Sequence, residues 1–267
     1  MTRIRNIAAA VFVIGSVASP LHAAEGFLIV QQTTTGTTTR KTEVQIERER
    51  MRAEIEGAPG GSRIVTFDGP QQILRIINVE GKSYTEMTKA DADRVGAMVN
   101  AMMANMKEKI AKLPPEQRAK IEASMGPAGL IPGTVKPEFR RAGTDMVGKW
   151  TCDKYEAFRN EQKVMEVCAV DPKTLGLTPA DFEISKPFAA FFEKVAPQGA
   201  HQIVDVGTIE RHGYNGVPVR RVIYRSGNVL ATSDVIDVRR QSFDASSYDP
   251  PAGFRKQELG AGGATIR

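Results

Sequence analysis

Apolar and polar residues alternate along the first ninety residues in a way that predicts β-strands. In residues 42–55, a long polar strand region, charged and polar side chains alternate with Val44, Ile46, Met51, Ala53 and Ile55. An alternation of period two is typical of a half-buried strand. Shorter strands are predicted at 27–32, 63–67, 72–79 and 82–87, and turn residues at 68–70 and 80–81 separate the last three. The pattern predicts an antiparallel meander.

The spacing of apolar residues changes after residue 88, which predicts a helix. Thr88 is a suitable cap, and Asp91, three residues further on, can reach back to the free amide. Spacings of three and four then relate Val95, Met98, Val99, Met102, Met106, Ile110 and Leu113. Pro114-Pro115 ends this helix and begins a second one over 116–125. We therefore expect a helical insert at about 89–125.

Strands are predicted again from Val135 onward. The clearest segments are 150–158, 163–170, 201–210, 217–224 and 228–238. Among them, Thr178-Pro179 opens a short helix that continues through Phe192. The final residues 260–267 are small and polar and are expected to be disordered. Because no repeat or clear linker occurs, the predicted fold class is α+β, with residues 24–259 as a single β-rich domain.

The first 23 residues have the pattern of a secretory signal peptide. Arg3 and Arg5 form a positive region, and the apolar run 7–18 is too short for a stable membrane anchor. Ala23 is the expected last residue removed. No cysteine follows the run, so the site at which bacterial lipoproteins are lipidated is missing. We expect a periplasmic protein that is released and not lipidated, with an uncleaved anchor as the alternative.

The charge of the chain does not favour nucleic acid as a partner. The formal net charge is +5, and removal of Arg3 and Arg5 leaves +3 on the mature chain. Basic and acidic residues are interspersed, and no lysine- or arginine-rich tract forms a basic patch. After the leader, no segment is long and apolar enough to be expected to cross a membrane. The oligomeric state does not follow from the sequence.

Cys152 and Cys168 are the two cysteines, and they lie in the two strands of a predicted hairpin. A hairpin centred on Asn160 pairs residues whose numbers sum to 320, so the cysteines face each other and Lys154 faces Glu166. An oxidising compartment favours a disulfide between them. A catalytic thiol or a metal-ligand pair is the alternative, but no Cys-x-x-Cys motif occurs and neither strand contains a histidine.

Several motifs resemble a bacterial family named domain of unknown function 4412. They are Val65-Thr66-Phe67-Asp68-Gly69, the turn at Glu80-Gly81, the segment Lys82–Met87 ahead of a methionine-rich helix, and Gly148–Tyr155 around the first cysteine. The resemblance covers residues 26–254. These motifs indicate a fold and carry no chemistry of their own.

That family is similar to the LolA-like superfamily of periplasmic carriers of lipoproteins and lipids. The resemblance implies a strongly curved, incompletely closed antiparallel β-sheet (the LolA-like half-barrel) around an apolar hollow, with helices across the opening. The predicted order of strands, helix pair, strands, short helices and strands fits this plan. No ligand-binding residue of a carrier matches a numbered position here, so carrier activity is implied by the fold alone.

No arrangement of residues is typical of a catalytic site. The histidines of the mature chain, His201 and His212, have no zinc-ligand spacing to each other or to a cysteine. No Gly-x-Ser-x-Gly elbow and no phosphate-binding Gly-rich loop occurs. Asp91 and Asp93 suggest a metal pair, although acidic residues are also favoured in the first turn of a helix. We predict a non-enzymatic protein without cofactor or metal, with an unrecognised carboxylate pair as the alternative.

The methionines of the predicted helix are the candidate ligand contacts. They cluster on or beside one of its faces, and they are Met98, Met102, Met103 and Met106. Methionine is flexible and suits varied apolar partners. The later short helix adds three aromatic candidates, Phe188, Phe191 and Phe192. Ordinary core packing is the alternative for both sets, and copper(I) binding by thioethers is a third interpretation of the methionines.

The preferred functional hypothesis is non-catalytic binding or carriage of an apolar ligand in the hollow of a curved sheet. The partner is then a lipid, a lipoprotein or another apolar ligand. The alternative is a structural or sensing protein-interaction module of the cell envelope whose hollow is filled by its own helices. An open apolar interior favours the first hypothesis, and close packing favours the second.

Overall fold

The computed structural model describes residues 24–58, 60–118, 137–195 and 213–259. Some of the predictions above concern residues outside these ranges and stay predictions. They are the signal peptide 1–23, the disordered tail 260–267, the strand 201–210 with His201 and His212, and the second helix beyond residue 118.

Six strands follow one another in the first part of the chain. They are β1 (Ala24–Thr35), β2 (Thr38–Ile46), β3 (Arg50–Ile55), β4 (Arg63–Asp68), β5 (Ile73–Asn78) and β6 (Ser83–Met87). Each pairs antiparallel with the next, which confirms the predicted meander.

The predicted strand region over 42–55 contains a reversal that was not predicted, because the chain turns back between β2 and β3. The Glu47 backbone N–H donates to the carbonyl of Arg50 (2.9 Å), which closes a tight turn. This turn contains no glycine or proline, so the residues that usually indicate a turn are missing from the sequence here.

Five further strands form a second antiparallel run. They are β7 (Glu138–Val147), β8 (Trp150–Arg159), β9 (Gln162–Val170), β10 (Val217–Arg225) and β11 (Asn228–Phe243). β11 pairs with β1 and thereby joins the two runs. Together with a short last strand, β12 (Arg255–Gln257), they form a sheet of twelve strands among the described residues, in the order β12-β6-β5-β4-β3-β2-β1-β11-β10-β9-β8-β7. Within the described ranges the edge strands β12 and β7 are not paired with each other, so the sheet is open, as predicted.

The twelfth strand corrects the prediction of a wholly antiparallel sheet. β12 (Arg255–Gln257) pairs parallel to β6, in a part of the chain for which no strand was predicted. A 3-10 turn (Ala245–Tyr248) after β11 contacts β3 and β4, so the chain crosses the sheet before it reaches β6. Such a crossing connection is what a parallel pair requires.

Among the described residues, two helices of three or more turns accompany the sheet. α1 (Lys89–Ala111) follows β6, and residues 115–118 are also helical. Between β9 and β10, two 3-10 turns (Pro172–Leu175 and Pro179–Phe182) precede α2 (Ser185–Val195). The helix predicted from Thr178 through Phe192 is therefore divided, with a turn at residues 183–184. α1 contacts α2 and β6, and a position across the opening of the sheet stays a prediction.

β1 is buried on both of its faces because it lies near the middle of the sheet, between β2 and β11. Phe27 and Ile29 belong to the main core, which also contains α2. Leu28 and Val30, which point to the other face, pack with Phe243 and Tyr248. Burial of each such side chain contributes about 1.5–3 kcal/mol to the stability of the fold. The alternating side chains of β1 therefore stabilise the core on both faces of the sheet.

The predicted disulfide between Cys152 and Cys168 is confirmed, with their Cα atoms 5.4 Å apart. The predicted register of the hairpin is wrong, because Lys154 and not Cys152 lies directly opposite Cys168. Both sulfurs are buried in the main core. The bridge therefore connects β8 and β9 diagonally.

Two local features shift this register. The turn is centred between Asn160 and Glu161, which both have positive φ angles (48° and 60°), as two-residue hairpin turns require. An irregularity between Ala157 and Phe158 then displaces the pairing once more. The predicted contact between Lys154 and Glu166 nevertheless forms as a diagonal ion pair of 3.3 Å, because long side chains reach diagonal neighbours.

Candidate functional site

The start of α1 confirms the predicted cap. The Asp91 N–H donates to Thr88 Oγ1 (3.3 Å), and the Thr88 N–H donates to Asp91 Oδ2 (3.0 Å). The Thr88 hydroxyl also donates to Asp91 Oδ2 (2.7 Å). This bond and the one from the Thr88 N–H lower the pKa of the Asp91 carboxyl. Asp91 therefore has a structural role at the helix terminus.

The second acid of the suggested metal pair is held by lysines. The ammonium groups of Lys89 and Lys194 both donate to the carboxylate of Asp93, and they lower its pKa. In the described part of the chain, no group of three or more histidine, cysteine or acidic residues could hold a metal ion.

One side of α1 is built to approach α2 closely. Ala92 is fully buried, Met103 is 9% exposed, and Gly96 lies between them on the same side. A Cβ atom on Gly96 would lie 2.6 Å from the carbonyl oxygen of Lys194, at the end of α2. Glycine is therefore required at this helix–helix contact.

The opposite side of α1 is exposed and carries two of the predicted methionines. Met98 is 54% and Met102 is 61% exposed, whereas Met106 is half-buried and Met103 is buried. The four candidates thus do not share one face. The exposed residues from Ala97 to Asn105 are alanine, methionine and asparagine, so this surface is uncharged for more than two turns.

The sequence pattern contained two overlapping apolar stripes on α1, and the choice between them was not evident. The stripe through Val95, Met98 and Met102 was the more hydrophobic one, yet the structure buries Ala92, Gly96 and Met103. Two small residues four positions apart, Ala92 and Gly96, were the signal that could have indicated the buried side.

The three phenylalanines of α2 are buried in the main core. Phe188, Phe191 and Phe192 are each 3–4% exposed. The ring of Phe67 on β4 packs edge-on against Phe188 (5.3 Å between centroids) and against Phe191 (5.5 Å). α2 thus covers the apolar face of the sheet with its own aromatic side chains.

Residues from both runs of strands take part in this core. Phe67 of β4, Trp150 of β8 and Val219 of β10 belong to one continuous cluster with the phenylalanines of α2. The preceding 3-10 turn adds Phe182, whose ring packs against Phe27 of β1 (5.9 Å). α2 and the turn before it therefore pack against this apolar face of the sheet.

A buried carboxyl lies on the other face of the sheet, and no sequence signal indicated it. Glu47, at the turn after β2, is 5% exposed, and burial raises its pKa, while Tyr248 and Arg50 partly offset this effect. Burial also raises the pKa of Tyr248. The Arg50 guanidinium stacks over the Tyr248 ring at 5.2 Å. The 3-10 turn after β11, which contains Tyr248, thus covers the Glu47 carboxyl.

No helix within the described ranges has the length and hydrophobicity needed to span a membrane. No protein-family model matches the chain, and no curated protein matches it. The resemblance to the domain of unknown function 4412 family therefore stays a prediction.

Several solved structures are similar in fold. An uncharacterized conserved protein from Thermus thermophilus is 9% identical with a TM-score of 0.46, and the match covers 89% of this chain and 91% of that one. MucB in complex with MucA(peri) is 10% identical with a TM-score of 0.37, and the match covers 85% of this chain and 55% of that one. The MucA/MucB complex of Pseudomonas aeruginosa is 9% identical with a TM-score of 0.37, and the match covers 86% of this chain and 57% of that one.

The chain spans little more than half of the MucB chains that it matches. At these identities and TM-scores the likeness assigns no family to this chain and transfers no activity to it.

Proposed function

We propose that this chain is an exported, non-catalytic interaction module of the cell envelope whose sheet is filled by its own helix. The observation that supports this function best is the burial of Phe188, Phe191 and Phe192 against the apolar face of the sheet. Of the two hypotheses from sequence, close packing favours the interaction module.

Carriage of an apolar ligand on this face requires α2 to leave. Each phenylalanine that is removed from the core loses about 1.5–3 kcal/mol of burial free energy, before any contact with the ligand is made. Ile184, which is 1% exposed and lies just before α2, would leave its place in the core as well. The interior is therefore better suited to hold the fold together than to exchange ligands.

Export is supported by the leader pattern and by the disulfide. Arg3, Arg5 and the apolar run after them are typical of a signal peptide. The bridge between Cys152 and Cys168 fits an oxidising compartment such as the periplasm.

The outer side of α1 is the surface that we assign to partner binding. It presents Met98 and Met102 to solvent in an uncharged stretch, and neither side chain is needed for the contact between α1 and α2. Exposed apolar side chains that cluster in this way are common at protein interaction sites.

A fluorescent fatty acid added to the mature, oxidised chain tests this function. We expect no saturable binding, and we expect native mass spectrometry of periplasmic material to show polypeptide without an acyl adduct. The matched variants are Phe192→Ala, which opens the core, and Met146→Ala, which alters an exposed side chain on β7. The proposal is refuted if the wild-type chain binds the fatty acid saturably and if Phe192→Ala changes this binding while Met146→Ala does not. That result would establish carriage.

A further inference from the structure

The exposed side of α1 carries a stripe with the spacing of a coiled-coil seam. Its residues recur at intervals of four, three, four and three, and all are exposed: Arg94, Met98, Ala101, Asn105 and Glu108. This average of 3.5 residues is the repeat at which two helices pack along their length. Small alanine side chains at 97, 101 and 104 let a second helix approach closely.

The charges at the two ends of this stripe determine which helix fits it. Arg94 lies at one end and Glu108 at the other, and the residues from Val95 to Met106 are uncharged. If a second copy of α1 packs antiparallel with Ala101 at the two-fold axis, Arg94 meets Glu108 of the other copy. A parallel arrangement places Arg94 against Arg94, which is repulsive.

From this complementarity we infer that the chain forms a homodimer through antiparallel pairing of α1 with α1 of a second copy. The inference rests on the proposed function, because it takes the outer side of α1 as the interaction surface and names its partner. The interface is isologous, so the Arg94–Glu108 contact occurs twice. Met98 and Met102 then lie across the seam from alanine and asparagine side chains, where their exposed apolar surface is covered.

The ion pairs within one chain permit this rearrangement. Arg94 pairs with Asp91 on its own helix, and Glu108 pairs with Lys112. Arg94, Glu108 and Lys112 are well exposed, and exposed pairs contribute little to the stability of the fold, so their charges can be shared with a second chain at small cost.

A charge-swap series tests the homodimer. The mature chain and its variants are examined by sedimentation equilibrium from about 1 to about 100 µM at low and high salt. We expect a concentration-dependent dimer, with the dissociation constant raised at least about tenfold by Arg94→Glu and likewise by Glu108→Arg, because each change creates two repulsive contacts. The double variant Arg94→Glu/Glu108→Arg should return to within about threefold of the wild type.

The rescue distinguishes an interface from an effect within one chain. Residues 94 and 108 are about 21 Å apart along one helix, too far for contact, so restoration of dimers by the double swap requires two chains. Circular dichroism melts verify that each variant is folded. Any of three results would overturn the inference. The wild-type chain could be monomeric at the highest concentration, the single swaps could leave the dissociation constant unchanged, or the double swap could fail to restore the dimer. A monomer that binds no fatty acid refutes the homodimer alone, whereas saturable fatty-acid binding refutes the proposed function.

Discussion

Lys154 lies directly opposite Cys168, yet the disulfide joins Cys168 to Cys152. The bridge thus crosses from β8 to β9 on the diagonal and enters the main core near Trp150. It closes the hairpin at the end remote from the turn, where it constrains the unfolded chain most effectively.

Removal of the bridge should weaken the whole sheet. The variant Cys152→Ala/Cys168→Ala opens a loop with a sequence separation of 16 residues, and we expect a loss of about 3 kcal/mol in the free energy of unfolding. Chemical denaturation of the oxidised wild type and of the variant measures this difference. Wild-type protein under reducing conditions is the control and should lose a similar amount. Equal denaturation midpoints for all three samples would contradict the structural role.

Gly96→Ala should destabilise the contact between the helices. Alanine in a helix is favoured over glycine by about 1 kcal/mol, but the new Cβ atom would meet the Lys194 carbonyl at 2.6 Å. Because backbone atoms cannot yield as a flexible side chain does, the steric effect should dominate and lower the melting temperature. The exposed neighbour Asn100→Ala is the control and should be neutral or slightly stabilising. A higher melting temperature for Gly96→Ala would show that α1 does not pack tightly on α2.

Two adjacent methionines of α1 should differ in their response to an added charge. Met103→Asp places an unpaired carboxylate in a site that is 9% exposed, and it should cost at least about 2 kcal/mol in the free energy of unfolding. At concentrations at which the chain is monomeric, Met102→Asp, at 61% exposed, should change this free energy by less than about 0.5 kcal/mol. Thermal or urea unfolding of the two variants makes the comparison, and equal losses would contradict the orientation of the helix.

Glu47→Gln should make stability less sensitive to pH. Burial raises the pKa of the folded-state carboxyl, so its contribution to stability is fully present below the ordinary range of glutamate and is lost as pH rises through the raised value. The free energy of unfolding of Glu47→Gln relative to the wild type should therefore increase between about pH 4 and about pH 7. Tyr248 stays protonated in this window because burial raises its pKa as well. Urea titrations at both pH values measure this change, and the exposed Glu49→Gln is the control. An equal change in the free energy of unfolding for both variants would contradict the prediction.

The strands and the cap of α1 could be predicted from the sequence because their signals are local. Thr88 with Asp91 forms a capping box within four residues, and the turn around Asn160 lies between two short apolar segments. The register of the hairpin could not be predicted to the residue, because an irregularity at Ala157 has no clear sequence signal. The reversal after Glu47 was missed because its turn, closed by the hydrogen bond from the Glu47 N–H to the Arg50 carbonyl, contains no glycine or proline.

The candidate site depended on tertiary contacts, which a periodic pattern does not contain. Met98 and Met103 were equally plausible contacts from their spacing, and only the position of Lys194 determines which side of α1 is covered. Likewise, Phe191 was equally suited to line a hollow or to fill it. Its packing against Phe67 follows from the folded sheet.

Native-state hydrogen exchange of α2 tests the filled sheet most directly. If Phe188, Phe191 and Phe192 are integral to the core, the amides of Ser185–Val195 should exchange only through global unfolding. Their opening free energy should then equal that of β4, where Phe67 lies, and fall in parallel with it as denaturant is added. Exchange of α2 at a free energy several kcal/mol below that of β4 would show a helix that detaches while the sheet stays folded, and would contradict the proposal that the sheet is permanently filled.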